Sequence, residues 1–186
     1  MARRERWVAD ERAVGRMVVR LAGQIARRNR GVEGLAFVGI KRRGVPLAER
    51  LAAIVNRARA KRAPVGAIDI TLYRDDLQLV AETPIVRGSE IGFDINGRTI
   101  ILVDDVLFTA RTVRAALSEM LDYGRPRSVQ LAVLVDRGGR ELPIQADFCG
   151  LVLKTRPGDI VDVFLKEQDA KEGVTLTRAP RGKGKK

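Results

Sequence analysis

The stretch TIILVDDVLFTART, residues 99–112, decides the fold of this chain. Its uninterrupted apolar start, Thr99–Val103, predicts a buried strand. Asp104–Ala110 then reads as a loop, and Thr112–Tyr123 as a helix closed by Gly124. A buried strand that runs into a helix through a short polar loop is typical of a βαβ unit with a parallel sheet.

Similar patterns flank this unit. Two more helices are predicted, one capped by Asp10 and running to about Asn29, and one running from Pro46 to about Lys61. The other predicted strands are Leu35–Ile40, Val65–Tyr73 and Val129–Val135. The sequence therefore predicts an α/β protein with a mostly parallel twisted sheet flanked by helices.

The carboxyl-terminal region is less regular. Residues 136–165 indicate only short strands, and after Lys171 the chain has little to bury. We therefore predict one domain over residues 1–172, followed by a basic, disordered tail over residues 173–186.

Composition excludes several kinds of chemistry. The 186 residues contain no histidine and a single cysteine, Cys149. Catalytic triads, histidine bases, an intrachain disulfide and a cysteine zinc site are thus excluded. Since no apolar window approaches the length of a membrane span, and Met1–Asp10 lacks a signal core, we expect a cytoplasmic protein without membrane contact.

Charge is divided unevenly along the chain. Residues 1–62 carry 17 Lys+Arg and 5 Asp+Glu, whereas residues 63–177 carry 13 and 18. The last nine residues add five cations. On the first helix, Arg12, Arg16, Arg20 and Arg27 share the face opposite the apolar one. Such a stripe indicates a polyanionic partner, or else a solvated helix face.

The quoted stretch also carries the chemistry. A helix N-terminus offers free amides to a phosphate, and Thr109 and Thr112 add hydroxyl donors. Asp104 and Asp105 repel phosphate but suit ribose hydroxyls, so the loop fits a ribose 5-phosphate. Neither G-x-x-x-x-G-K-[ST] nor G-x-G-x-x-G occurs, which disfavours P-loop and dinucleotide folds. The alternative is an aspartate pair that only solvates a strand end.

These residues resemble the phosphoribosyl pyrophosphate (PRPP) signature of the type I phosphoribosyltransferases. More closely, the chain resembles the bifunctional pyrimidine operon regulators that are also uracil phosphoribosyltransferases. The resemblance covers roughly residues 10–165, and it implies the type I fold with a small hood. It is carried by residues 37–41, 69–76, 101–112, 124–126, 130–138 and 140–144.

The resemblance implies a role for each part of the site. Asp104 and Asp105 would hold the ribose as catalytic residues. The 5-phosphate would lie against Val106, Leu107, Phe108, Thr109, Ala110, Arg111 and Thr112. Pyrophosphate would be held by Lys41, Arg42, Arg43, Gly44, Arg74 and Arg87, and a loop starting at Tyr73 would close over the substrate. Asp136, Arg137 and Val161 would flank the base, although Val161 also reads as a core valine.

The implied activity joins uracil to PRPP, giving UMP and pyrophosphate, with Mg²⁺ held mainly by PRPP rather than by the protein. The implied regulation is binding of a uridine nucleotide, UMP or UTP, and of the pyr mRNA leader. The RNA would be contacted by Arg16, Arg20, Arg27 and Arg28. The protein would form a homodimer or a higher homo-oligomer. Two departures, Ala110 for the usual glycine and the segment 151–156, leave alternatives open. These are an RNA-binding regulator with little transferase activity, and a phosphoribosyltransferase for another base.

Overall fold

A computed structural model describes residues 4–57, 61–70 and 88–180. Its centre is a parallel sheet of five strands in the order β3-β2-β4-β5-β6. These strands are β2 (Leu35–Ile40), β3 (Val65–Ile68), β4 (Thr99–Leu107), β5 (Ser128–Asp136) and β6 (Phe148–Val152). The carboxyl ends of β2, β4 and β5 therefore lie side by side at one edge of the sheet.

Helices cover both faces of this sheet. Helices α1 (Glu11–Arg28) and α2 (Gly44–Val55) pack on one face, and α3 (Arg111–Asp122) packs on the other. Side chains of β4 alternate between the two, with Ile101 and Val103 on the first and Ile100 and Leu102 on the second. The predicted α/β class with a parallel sheet is confirmed.

A second, antiparallel sheet forms a hood beside the main one. Its strands are β1 (Arg4–Asp10), β8 (Gly173–Arg178) and β7 (Ile160–Phe164), in that order, and the short helix α4 (Lys166–Asp169) connects β7 to β8. The prediction that a tail begins at residue 173 is wrong for β8, because its residues Val174 and Leu176 are fully buried in the core that the hood shares with α1 and α2. Residues 181–186 lie outside the described residues.

Two predicted boundaries are also corrected. Strand β4 does not end at Val103 but continues to Leu107, because its last residues stay paired with β5. Helix α2 ends at Val55 instead of Lys61. Its end is fixed by Asn56, whose side-chain amide exchanges two hydrogen bonds with the backbone of Ala63.

The first helix begins as predicted. The Asp10 carboxylate accepts a hydrogen bond from the Ala13 amide at 2.8 Å and so caps α1. None of the described helices has the length and apolar character that crossing a bilayer requires.

Candidate active site

The aspartate pair lies near the carboxyl end of the central strand, β4, where the strand leaves the core. Asp104 is only 7% exposed, and Asp105 is half-buried. The Asp104 carboxylate accepts a hydrogen bond from the Asp105 amide, and the Asp105 carboxylate accepts one from the Val106 amide, both at 2.9 Å. Local backbone bonds therefore fix both side chains before any ligand arrives.

Burial changes the acidity of this pair. It raises the pKa of Asp104 well above its usual range, and the neighbouring charge of Asp105 raises it further. Burial also raises the pKa of Asp105, while hydrogen bonds and the nearby Arg43 guanidinium oppose the rise. Two close carboxylates in a dry site favour a ligand that donates hydrogen bonds to them.

Next to the pair lies a small cavity of about 100 Å³, enough for roughly three waters or one phosphate group. It is bounded by the end of β4 and the start of α3. Its walls are Asp104, Val106, Leu107, Phe108, Thr109, Ala110, Thr112 and Val113. Arg111 lies just outside, paired with Glu141 at 2.7 Å. All seven residues predicted for the phosphate thus gather at this cavity or on its rim.

Ala110 occupies the turn into α3 with a φ of 74°, in the left-handed region. Only glycine adopts this conformation freely, so the turn favours the glycine that the resemblance leads one to expect at this position. The structure accommodates the alanine, because Ala110 is 3% exposed and packs against the apolar cluster under α3.

We expect Ala110→Val to lower the free energy of unfolding by about 2 kcal/mol, since a β-branched residue is strained at this φ. Ala110→Gly should stay within about 1 kcal/mol of the wild type, because relief of strain is offset by added chain entropy. Urea unfolding of both variants measures the difference. Equal stability of the two would contradict the left-handed turn.

A basic turn, residues 41–43, joins β2 to α2 beside the aspartates and contains a cis peptide bond between Lys41 and Arg42. A Cβ on Gly44 would lie 2.3 Å from the carbonyl oxygen of Val103, so only glycine allows α2 to start this close to β4. The turn is therefore held against the strand that carries the aspartates.

The three cations of this turn differ in their contacts. The Lys41 ammonium donates to the Gly88 carbonyl at 2.5 Å and to Glu90 at 3.2 Å. Arg43 binds Asp169, and Arg42 is exposed without a hydrogen bond or ion pair to the described part of the chain. The other two predicted pyrophosphate residues, Arg74 and Arg87, lie outside the described residues, as does the loop from Tyr73.

An open cleft of about 600 Å³ lies on the other side of the phosphate loop, at the ends of β5 and β6. The Arg137 guanidinium stacks on the Phe108 ring at 4.0 Å and donates to the Asp159 carbonyl at 2.6 Å. The cleft is lined by Asp136, Arg137, Gly138, Gly139, Arg140, Gln145, Val152, Leu153, Lys154 and Thr155. The predicted base residues Asp136 and Arg137 are therefore beside the phosphate cavity.

Val161 is placed elsewhere. It lies on β7, 8% exposed, within the apolar core shared with α1 and α2. The predicted contact of Val161 with the base is therefore wrong, and the core position that its apolar side chain also indicated is confirmed.

Sequence reasoning missed Arg140. Its guanidinium pairs with Asp136 at 2.5 Å and donates to the Phe108 carbonyl at 2.9 Å, so it ties the cleft to the phosphate loop. Lys154 and Thr155, from the departing segment 151–156, also line the cleft. Their position depends on how β6 leaves the sheet, which no local pattern indicates.

The arginines predicted for RNA divide into two groups. All four lie exposed on α1. Two of them also make contacts within the chain, because the Arg20 guanidinium donates to the Gly150 carbonyl of β6 and Arg28 pairs with Asp147 at 2.9 Å. The basic face of α1 is therefore exposed, with Arg20 and Arg28 held by the region around β6.

The carboxylates at this edge of the sheet determine how a metal ion would bind here. Within the ranges that the structure covers, no three His, Cys, Asp or Glu side chains form a metal cage. Mg²⁺ commonly binds through only one or two carboxylates together with substrate phosphates and water. Asp104 and Asp105 fit that pattern, with substrate supplying most of the ligands.

Comparison with known proteins identifies the family. Residues 8–168 match the family described as phosphoribosyl transferase domain. A protein of Deinococcus deserti named "Bifunctional protein PyrR" is 54% identical over 168 residues, which is 90% of this chain and 91% of that protein. A protein of the same name from Thermoanaerobacter sp. strain X514 is 49% identical over 170 residues, 91% of this chain and 96% of its own.

Solved structures agree on the fold. A hypoxanthine-guanine phosphoribosyltransferase of Bacillus anthracis superposes with a TM-score of 0.67 at 14% identity, covering 96% of this chain and all (100%) of that one. A hypoxanthine phosphoribosyltransferase of Trypanosoma cruzi gives 0.69 at 20% identity, covering 92% and 94%. The strand-loop-helix site, the domain match and the relatives together show that this chain belongs to the phosphoribosyltransferases and, among them, to the bifunctional PyrR family.

Proposed function

We propose that this protein transfers phosphoribose from PRPP to uracil, giving UMP and pyrophosphate, and regulates pyrimidine genes by binding uridine nucleotide and the pyr mRNA leader. One observation supports the transferase most. The aspartate pair, the phosphate-sized cavity and the basic turn all lie at the same edge of the sheet, at the ends of β4 and β2.

In the reaction, uracil N1 forms a bond to C1 of the ribose as the bond from C1 to the pyrophosphate oxygen breaks, and the N1 proton leaves with the pyrophosphate. Positive charge develops on the ribose, and negative charge develops on the leaving group. Asp104 and Asp105 accept hydrogen bonds from the ribose hydroxyls and stabilise the positive charge. The amides at the start of α3, with Thr109 and Thr112, hold the 5-phosphate.

The leaving pyrophosphate is neutralised by the cations of the turn, Lys41, Arg42 and Arg43. Mg²⁺, when bound to PRPP, supplies further charge neutralisation at the diphosphate, and Asp104 and Asp105 are the carboxylates that would hold it or its waters. Asp136 and Arg137 flank the cleft where the base would lie. The protein thus acts mainly by positioning and by fixed charge.

UMP formation from uracil, PRPP and Mg²⁺ tests this proposal. Turnover with uracil supports it, and competition by hypoxanthine, guanine or orotate would assign another base. If UMP binds without any turnover, the second candidate holds, a nucleotide-sensing regulator with little transferase activity. The departures in segment 151–156 favour that candidate, since Val152 and Lys154 line the base cleft.

The RNA proposal leads to a salt-dependent prediction. Because each phosphate contact releases counterions, Arg16→Glu should weaken binding of pyr leader RNA and reduce the slope of log K against log salt by about 1. Arg114→Glu, an exposed arginine on the opposite face, is the matched control. A slope unchanged by Arg16→Glu and by Arg20→Glu would remove α1 from the RNA interface.

Three further expectations belong to this proposal. The protein is expected in the cytoplasm, where its nucleotide substrates are. It is expected to work as one phosphoribosyltransferase-like domain and to associate as a homodimer or higher homo-oligomer. Two copies of α1 would then offer a larger basic surface than one.

A further inference from the structure

Arg43 of the basic turn is held by a carboxylate from the hood. Its Nε donates to Oδ2 of Asp169 at 3.0 Å, and its Nη2 donates to Oδ1 at 2.7 Å. The two residues are 126 positions apart in the chain, so only the tertiary fold brings them together. This is the two-bond geometry in which a carboxylate fixes the plane of a guanidinium.

The pairing uses only one edge of the guanidinium. Arginine carries five N–H donors, and the Nε–Nη2 edge is the one that Asp169 occupies. The Nη1–Nη2 edge remains, and the Arg43 side chain is 36% exposed. A second anion of two-oxygen geometry, such as a diphosphate, can therefore bind Arg43 without displacing Asp169.

Asp169 is itself held in place. Its Oδ2 also accepts a hydrogen bond from the Leu165 amide at 2.9 Å, and its side chain is only 15% exposed. The surrounding segment is anchored a second time, because Arg50 of α2 binds both Glu167 and Glu172 with distances of 2.7–2.8 Å. The carboxylate that orients Arg43 is therefore rigid.

Three carboxylates act on the positive charge of Arg43. Asp169 lies on its hood side, and the charges of Asp105 and of Asp162 on β7 also raise the pKa of Arg43. Of the two remaining carboxylates, Asp105 has the larger effect on this arginine. An arginine bound to Asp105 would neutralise the residue that has to hold the ribose.

We propose that Asp169 is the positioning residue for Arg43, holding one edge of its guanidinium so that the other edge is ready for the diphosphate of the substrate. This inference rests on the proposed function, because it takes Arg43 as a pyrophosphate ligand. In this arrangement the hood, through Asp169 on α4, controls the affinity of the basic turn for PRPP.

The test is PRPP binding by Asp169→Asn, measured by calorimetry with Mg²⁺, together with steady-state kinetics. We expect Kd and KM for PRPP to rise about tenfold, with KM for uracil changed less than twofold. Asp169→Glu keeps the charge but is one methylene longer, so its Kd for PRPP should rise only about threefold. An unchanged Kd for PRPP in Asp169→Asn overturns the inference.

Glu172→Gln is the matched control, because Glu172 is a buried acid of the same segment, 5% exposed, that binds Arg50 instead of Arg43. If loosening of the hood alone weakens PRPP binding, this variant will show the same tenfold loss, and the inference is wrong. We expect it to lower Tm and leave the Kd for PRPP within twofold.

A double-mutant cycle keeps the test decisive if Asp169→Asn folds poorly. Since Asp169 acts through Arg43, Asp169→Glu should change PRPP affinity in the wild type but have no effect beside Arg43→Lys, which lacks the fork. Additive effects overturn the inference. Absence of PRPP binding by the wild type would instead refute the proposed function, and with it this inference.

Discussion

The Asp105→Asn variant is expected to form UMP at least about a hundredfold more slowly than the wild type. Asparagine keeps the size of the side chain and can still accept the 2.9 Å hydrogen bond from the Val106 amide. It removes the negative charge that stabilises the developing cation on the ribose. The loss should therefore appear in kcat, measured at saturating PRPP and uracil.

The same variant should be more stable than the wild type. Burial raises the pKa of both Asp104 and Asp105, so the charged form of the pair is less favourable in the folded state than in the unfolded chain. Removing one of the two charges should increase the free energy of unfolding by ~1 kcal/mol. Asp122→Asn, at the exposed end of α3, should change neither turnover nor stability. Wild-type turnover in Asp105→Asn would remove Asp105 from the mechanism.

The Asp159→Asn variant is expected to lose more stability than any other single isosteric change in the hood, with Tm falling by about 5–10 °C. The Asp159 side chain is fully buried, at 0% exposure. It accepts hydrogen bonds from the amides of Arg156 and Ala179, both at 2.9 Å, and from the Arg178 guanidinium at 2.5 Å. Its loss frees the end of β8 and leaves Arg178 without its partner.

Calorimetry of Asp159→Asn beside Asp162→Asn measures this effect, since Asp162 is an exposed aspartate three residues further along the chain, on β7. The control should melt within about 1 °C of the wild type. Equal Tm values for the two variants would show that the Asp159 network contributes nothing to the stability of the fold.

The two acidic sites should respond to pH in opposite directions. Backbone amides, and then Arg178, lower the pKa of Asp159, so its contribution to stability is present above the unfolded value near 4 and is lost as pH falls below it. The pKa values of Asp104 and Asp105 are raised, so the folded state binds more protons than the unfolded chain just above pH 4. In that window the aspartate pair makes the protein more stable as pH falls.

Much of the core was predictable because its signals are local. The apolar runs at 35–40 and 99–103 are continuous, which is typical of strands buried in a parallel sheet. Asp10 caps α1 through a contact with Ala13, only three positions away. The gathering of Asp104, Asp105 and the phosphate loop was also predictable, since they are consecutive in the chain.

A small hood was expected only from the resemblance, and its strand pairing was not predictable, because each strand is short and its pairing partners are distant. Arg4 on β1 lies opposite Arg178 on β8, and Asp169 reaches Arg43 from the other end of the chain. The length of β4 was missed for a similar reason. Val106 and Leu107 become strand residues only because β5 is there to pair with them.

The pairing of β1 with β8 also has a consequence for how the protein is made. On a ribosome the first strand emerges early and waits without a neighbour until residue 178 has been released. The parallel sheet, with its phosphate cavity, can form before then, whereas the hood can only be completed last. A nascent chain halted before residue 173 should thus expose Trp7 on β1 to quenchers that the finished protein partly excludes.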